Sequence, residues 1–309
     1  MSLSITPNNQ IFLANLQLTE NRISTDEQEM SSGLRVSVAS DAPDQISGIL
    51  QLRAQIAGVQ QTQNNLSSVS AVVNSGEDAI QQAIQVLDTA TALATEASGS
   101  TSSASQRLDA APQVQGILEQ LVSLSQTTMN GEYIFSGDQS GSPSYQLNAA
   151  GTGVTQVVQP GPPGQIADTN GVLFSVGLTA QQIFDDQVGG GTGTGNPAPD
   201  NVFAAVSGLL TALQTNSSAG IQTALTNLQA ASAHLNDESS FYGGAANSIS
   251  SATSQSNTTL TQLQQQLSNM QDADIAEVAV DLNTNMTAEQ AAMSAEAMNK
   301  PQSLFSYLG

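Results

Sequence analysis

Apolar residues recur at alternating steps of three and four through Ile46–Ala97, a stretch of fifty-two residues with no proline and three isolated glycines, Gly48, Gly58 and Gly76. Counting from Ile49, the steps fall on Ile49, Leu52, Ile56, Val59, Gln63, Leu66, Ser70, Val73, Glu77, Ile80, Ile84, Leu87, Thr91 and Ala94, and ten of these fourteen positions are apolar. A 3.5-residue repeat of this kind puts one apolar seam along a helix, ready for a partner helix. At 1.5 Å per residue an unbroken helix of that length spans roughly 75 Å. The expectation is a rod rather than a globule.

The same spacing appears elsewhere. Ile5, Phe12, Leu16, Ile23 and Met30 form a stripe that ends at Ser31-Ser32-Gly33. Ser40-Asp41-Ala42-Pro43-Asp44 reads as the start of the long helix, with Asp41 accepting from its first free N–H groups and Pro43 in its first turn. The polar cluster Ser98-Gly99-Ser100 stops it. A returning helix is expected over Ser105–Met129, with a start near Asp109 or a kink at Pro112, and Asn130-Gly131 as its left-handed cap.

Between Glu132 and Asp200 the composition turns to Gly, Pro, Asn and Asp around short β-type runs, Tyr133–Phe135, Val154–Val158 and Val172–Val176. Helical spacing resumes at Val202–Leu213 and Ile221–Leu235, meets an expected break at Phe241-Tyr242-Gly243-Gly244, and continues through Ile249–Met270. A last stripe carries Ile275, Val278, Leu282, Met286 and Met293, and the chain closes on Leu304, Phe305 and Leu308. An apolar stripe needs a partner. The economical solution pairs the two ends with each other.

The expected fold is therefore mainly α, a long-helix coiled-coil or bundle rod formed by the N- and C-terminal segments with a small β-rich inserted domain. Residues 1–42 and 272–309 make a terminal coiled-coil domain, 43–135 and 201–271 a helical bundle, and 136–200 the insertion.

Charge removes several functions. Five Lys and Arg against twenty-six Asp and Glu, a net charge of −21, leave nothing to neutralise phosphates or an anionic membrane surface. Without cysteine there are no disulfides, no thiolate nucleophile and no thiolate zinc site. No apolar run approaches the ~20 residues of a membrane span, and the start lacks the basic region of a cleaved signal peptide.

Candidate chemistry is thin. His234 and Asp237 share a helix face without a nucleophile beside them, and Asp272-Ala273-Asp274 suits a helix N-terminus better than a metal ion. The glycine run Gly189–Gly195 fails the spacing of a phosphate loop, and Asp185-Asp186 reads as a solvated loop. No enzyme, cofactor or metal site is expected. Periodicity alone leaves a cytoplasmic coiled-coil adaptor or signalling stalk beside a filament subunit.

Short motifs narrow this. Ser31-Ser32-Gly33-Leu34-Arg35, Ser40-Asp41-Ala42-Pro43 and Leu52-Arg53 resemble the N-terminal block of bacterial flagellins and their relatives, with Ser32, Gly33, Arg35, Asp41 and Pro43 as the marking residues. Asp272-Ala273-Asp274-Ile275-Ala276-Glu277 and Ser303–Leu308 are similar to the C-terminal block of the same family. Asn130-Gly131-Glu132-Tyr133-Ile134-Phe135-Ser136-Gly137 resembles the exit from the helical domain in the family's hook–filament junction members more than in flagellin itself.

The resemblance implies an axial structural protein exported through the flagellar type III channel to the cell exterior, without a cleaved signal. It implies assembly through the two terminal stripes, with an adjacent hook-associated protein, flagellin and further copies of itself as partners. An export chaperone on the C-terminal helix follows from the same resemblance, and flagellin proper remains the alternative.

Overall fold

The protein, seen in a computed structural model, is described here over residues 7–168, 171–188 and 196–298, with side chains from residue 10 onward. Seven helices appear among these residues: α1 (Pro7–Ser32), α2 (Ile46–Ser98), α3 (Ala104–Ser125), α4 (Ala180–Phe184), α5 (Val202–Gln214), α6 (Ser218–Gln271) and α7 (Ile275–Met298). Between α3 and α4 lie six short strands, β1 (Thr128–Met129), β2 (Glu132–Tyr133), β3 (Tyr145–Leu147), β4 (Val154–Gln156), β5 (Gln165–Ala167) and β6 (Leu173–Ser175). They pair in order as three separate antiparallel ladders. The fold is mainly α with a small β region, as the periodicity predicts.

All fourteen seam positions of α2, from Ile49 to Ala94, are buried or half-buried, the four polar ones included. The polar members stay inside because they find partners or lie at the margin; Gln63 donates from Nε2 to Asn257 Oδ1 of α6 at 2.8 Å.

Two compact units divide the chain, residues 1–58 with 259–309 and residues 59–258. In the larger unit, α2 residues from Leu66 to Ala97 share one core with α3, α5 and α6. Arg107 fastens one end of that bundle, donating to Ala97 O (2.9 Å), Asn216 Oδ1 (2.9 Å) and Ser218 Oγ (3.1 Å). The ladders are too short to make a core of their own. An aromatic row holds them against helices instead: Phe135 meets Phe184 edge-on at 6.0 Å, Phe184 stacks on Phe203 at 5.6 Å, and Tyr145 lies 5.4 Å from Phe203.

Several local expectations change. α3 starts at Ala104 rather than near Asp109, because Ser103 and Gln106 form a reciprocal capping box ahead of Pro112. It ends at Ser125, so Asn130-Gly131 is not its cap. Those two residues, with φ of 53° and 85°, are the two-residue turn joining β1 to β2, where both central positions must be left-handed to match strand twist. No break occurs at Phe241–Gly244; α6 runs through it, since buried Tyr242 and Ala245 anchor the glycines' turn to the core. Asp41 does not cap α2, which starts five residues on, but accepts from Ser37 N and Val38 N, both at 2.9 Å.

Candidate assembly surface

The terminal unit is built on α1 and α7, which run antiparallel: Asn285 Nδ2 donates to Asp26 Oδ2 at 2.8 Å, and beyond the helix ends Ala273 N donates to Gly33 O at 3.0 Å. Where α1 stops, Gly33–Val36 lies against the end of α6. Arg35 N and Val36 N both donate to Gln271 O, at 2.8 and 3.2 Å. The Arg35 guanidinium reaches Met270 O at 3.1 Å and Gln45 Oε1 at 3.4 Å. Val36, Ala42 and Ile49 form a small core there with Leu267 and Met270. Asp274 caps α7, its Oδ1 accepting from Ala276 N and Glu277 N at 2.9 and 3.2 Å. The sequence block Ser32–Pro43 is thus a clasp between the two ends of the chain.

The expected stripe residues divide into two sets. Phe12, Leu16 and Ile23 are half-buried, as is Leu282, and Val278 is buried. Met30, Ile275, Met286 and Met293 are 39–47% exposed. Ile5, Leu304, Phe305 and Leu308 lie outside the described residues, as does the run Gly189–Gly195. Gly33 and Arg35 sit in the clasp, with Ser32 ending α1 and Asp41 and Pro43 in the turn before α2. In the larger unit Asn130, Gly131 and Tyr133 form the first hairpin, Phe135 is fully buried, and Gly137 opens a single 3-10 turn.

Why the stripe splits is visible in the register. On α1 the half-buried positions are Phe12, Leu16, Thr19, Ile23, Asp26 and Glu29; on α7 they are Ala279, Leu282, Asn285, Glu289, Ala292 and Glu296, beside buried Val278. Both sets step by three and four, but the α7 set includes polar residues that a count of apolar positions passes over. Met286 and Met293 follow a different seven-residue step, off the seam. Ile11 and Leu18 do the same on α1, 60% and 58% exposed, with Leu13, Val280 and Met298 also open. Sequence reasoning named Met286 and Met293 but missed Ile11, Leu13, Leu18, Val280 and Met298; the seven-residue spacing of Ile11 and Leu18 is the signal that marks that pair. A paired helix with an exposed apolar row has a surface suited to further helices.

No helix among the described residues is long and apolar enough to cross a membrane. In the larger unit His234 does not face Asp237. Its Nε2 lies 2.8 Å from Gln182 O and its Nδ1 3.9 Å from Glu238 Oε1.

Burial raises the Glu238 carboxyl above the usual carboxylate range, with Asp237 and Asp186 adding to this and His234 opposing it. Burial likewise raises Asp185, against hydrogen bonds from Asn201, Tyr145 and Gln187, while neighbouring Asp186 adds to the rise. Both groups hold a proton more tightly folded than unfolded. Their contribution to stability is complete below the unfolded carboxylate value of about 4 and is lost as pH rises through their raised values. The Asp185→Asn/Glu238→Gln variant should therefore lose less stability than the parent between pH 4 and 7, measured by urea midpoints; an identical loss in both proteins contradicts it.

A helical protein whose two ends clasp into one unit, with short hairpins set between its helices, is the class this geometry defines. Two family models match it: the bacterial flagellin N-terminal helical region over residues 6–140 and the bacterial flagellin C-terminal helical region over residues 220–308. The chain belongs to the bacterial flagellin family.

Among curated relatives, Flagellin B of Helicobacter pylori is 28% identical over 128 residues, 41% of this chain and 25% of its own length. Flagellin A of the same organism is 25% identical over 196 residues, 59% of this chain and 38% of its own. The chain thus spans between a quarter and two-fifths of the length of these relatives.

Among solved structures, flagellar hook-associated protein 3 from Legionella pneumophila matches with a TM-score of 0.60 at 16% identity, over 72% of this chain and 98% of that one. The flagellar junction protein FlgL from Legionella pneumophila matches at 0.53 and 16%, over 66% and 99%. FlgL from Bacillus cereus matches at 0.56 and 16%, over 71% and 99%. These likenesses are of fold.

Proposed function

We propose that this chain is a structural axial protein of the bacterial flagellum, joining the hook-associated region to the filament by assembly of its terminal helices. The observation that carries the reading is the terminal unit itself: α1 and α7 are already paired, yet Ile11, Leu18, Met286 and Met293 remain open to neighbours. Support for a junction rather than a filament role comes from coverage. The chain's fold spans 98–99% of a hook-associated protein 3 and a junction protein, but the chain matches only 25–38% of two flagellins.

Under this reading residues 1–42 with 272–309 are the assembly domain, 43–135 with 201–271 the supporting bundle, and 136–200 the inserted domain. The partners are an adjacent hook-associated protein, flagellin and copies of the chain itself. An export chaperone covers the C-terminal helix before assembly, and the protein works outside the cell after export without signal cleavage. No catalysis is assigned to it.

Flagellin is the second reading, favoured by the flagellin A and B relatives. Deleting the gene separates the two. A junction protein leaves intact hooks and flagellin shed into the medium. Hooks that keep their filaments, changed only in length or number, favour flagellin instead.

A further inference from the structure

A cavity of about 520 Å³ opens in the larger unit between the loop 159–163, the start of α4 and one face of α6. Its wall has two characters. Pro160, Pro162, Pro163 and Leu178 are apolar, while Asp186 and Glu238 bring carboxylates. The three prolines have no N–H to offer. His234, also on the wall, has its Nε2 within hydrogen-bond distance of the Gln182 carbonyl, so that N–H is engaged and its other nitrogen faces Glu238. The remaining side-chain donors are the glutamine amides and the Thr179 hydroxyl, which is engaged with Gln182 Oε1 at 3.1 Å, and the cavity carries negative charge.

This unit has almost nothing of its own to answer that charge. Arg107 is the only Arg or Lys between residues 59 and 258, and it is held by Ala97, Asn216 and Ser218. The contact of His234 Nδ1 with Glu238 Oε1, at 3.9 Å, is an ion pair only when the imidazole is protonated. Glu238 meanwhile pays for partial burial with a raised carboxyl pKa.

We propose that the cavity receives a lysine or arginine side chain from a partner protein. The aliphatic stem lies along the prolines and Leu178, as such stems do on apolar surface, and the cationic head meets Asp186 and Glu238. An anionic group would be repelled by the two carboxylates. A purely apolar group would strip water from them and give no hydrogen bond in return. The volume falls in the range of ordinary ligand pockets and is ample for one long side chain. The cavity's residues belong to the larger unit and the terminal helices to the other, so failure of this proposal leaves the axial reading untouched, and the reverse also holds.

The chain contains a single histidine, His234, on the cavity wall, so its ring resonance in the full-length protein reports the site without ambiguity. Blocked tripeptides of the form acetyl-Gly-Xaa-Gly-amide, with Xaa arginine, norleucine or glutamate, are titrated at one fixed pH. The arginine peptide should move the His234 resonance saturably, with a dissociation constant of roughly millimolar order for so small a ligand. The norleucine and glutamate peptides should not. Glu238→Gln, which keeps shape and removes charge, should weaken the arginine peptide by about tenfold. An absent or unsaturable shift, an equal response to norleucine, or undiminished binding in Glu238→Gln each overturns the proposal. The peptide comparison on the unmodified protein needs no variant to fold.

Discussion

Replacing Tyr242 by alanine is expected to destabilise the larger unit by about 3–5 kcal/mol, the range for deleting a large buried aromatic. Tyr242 is 2% exposed, and its ring rests on α2 at Gly76, where a Cβ would come within 2.4 Å of ring carbon Cε1. Its hydroxyl accepts the Leu178 N–H at 3.2 Å, and burial pushes that hydroxyl up to about 12. Alanine therefore opens a cavity and strands a backbone donor together. Tyr242→Phe keeps the ring and isolates the second effect, about 1–3 kcal/mol. Gly76→Ala attacks the same contact from the other side by overpacking, at about 1–3 kcal/mol. Urea denaturation of the three variants checks the order. A Tyr242→Ala loss no larger than that of Tyr242→Phe would mean the ring is not held where the structure puts it.

Introducing Asp at both Met286 and Met293 is expected to abolish assembly while leaving the monomer intact. The two methionines are 44% and 47% exposed, off the seam that α7 presents to α1. Changing them removes little buried surface, so circular dichroism and the urea midpoint should stay within about 0.5 kcal/mol of the parent. Assembly is another matter, because two new charges in a helix–helix contact must be desolvated without partners. Val278→Asp is the contrasting variant. At 7% exposed it should weaken the α1–α7 pair itself, lowering helix content as well as assembly. Attached, normal filaments in cells carrying the Met286/Met293 double variant would sink the assigned surface.

How legible the protein was in its sequence depends on the distance over which each feature is decided. The α2 seam was readable to the residue because helix periodicity is a local property, and every step from Ile49 to Ala94 ends up at least half-buried. Asn130-Gly131 carried a strong signal that admits two readings, a helix cap or a hairpin turn. Both want a left-handed backbone; the ladder partners Thr128 and Tyr133 select the turn. Phe241-Tyr242-Gly243-Gly244 looked like a break because two glycines weaken a helix locally, yet tertiary burial of Tyr242 keeps α6 continuous. Strands β3 and β5 went unseen, and β1 (Thr128–Met129) falls at the end of the helix expected over Ser105–Met129. Three-residue ladders carry too few alternations to register, and the aromatic row anchoring their region joins residues from 135 to 203.

The assembly surface shows the same division. That α1 and α7 are amphipathic helices in need of partners follows from the spacing of their apolar residues. Which of those residues are used inside the molecule does not. Asp26 and Asn285 enter the seam because they bond to each other, and Met286 and Met293 are left outside by the register that bond accompanies. The sequence by itself determined the helical class, the family blocks and the need to join the two chain ends, since each is written in short-range spacing. Only the tertiary structure decided the register of that joining, and with it which apolar residues remain for a neighbour, because register is set by contacts between residues more than two hundred positions apart.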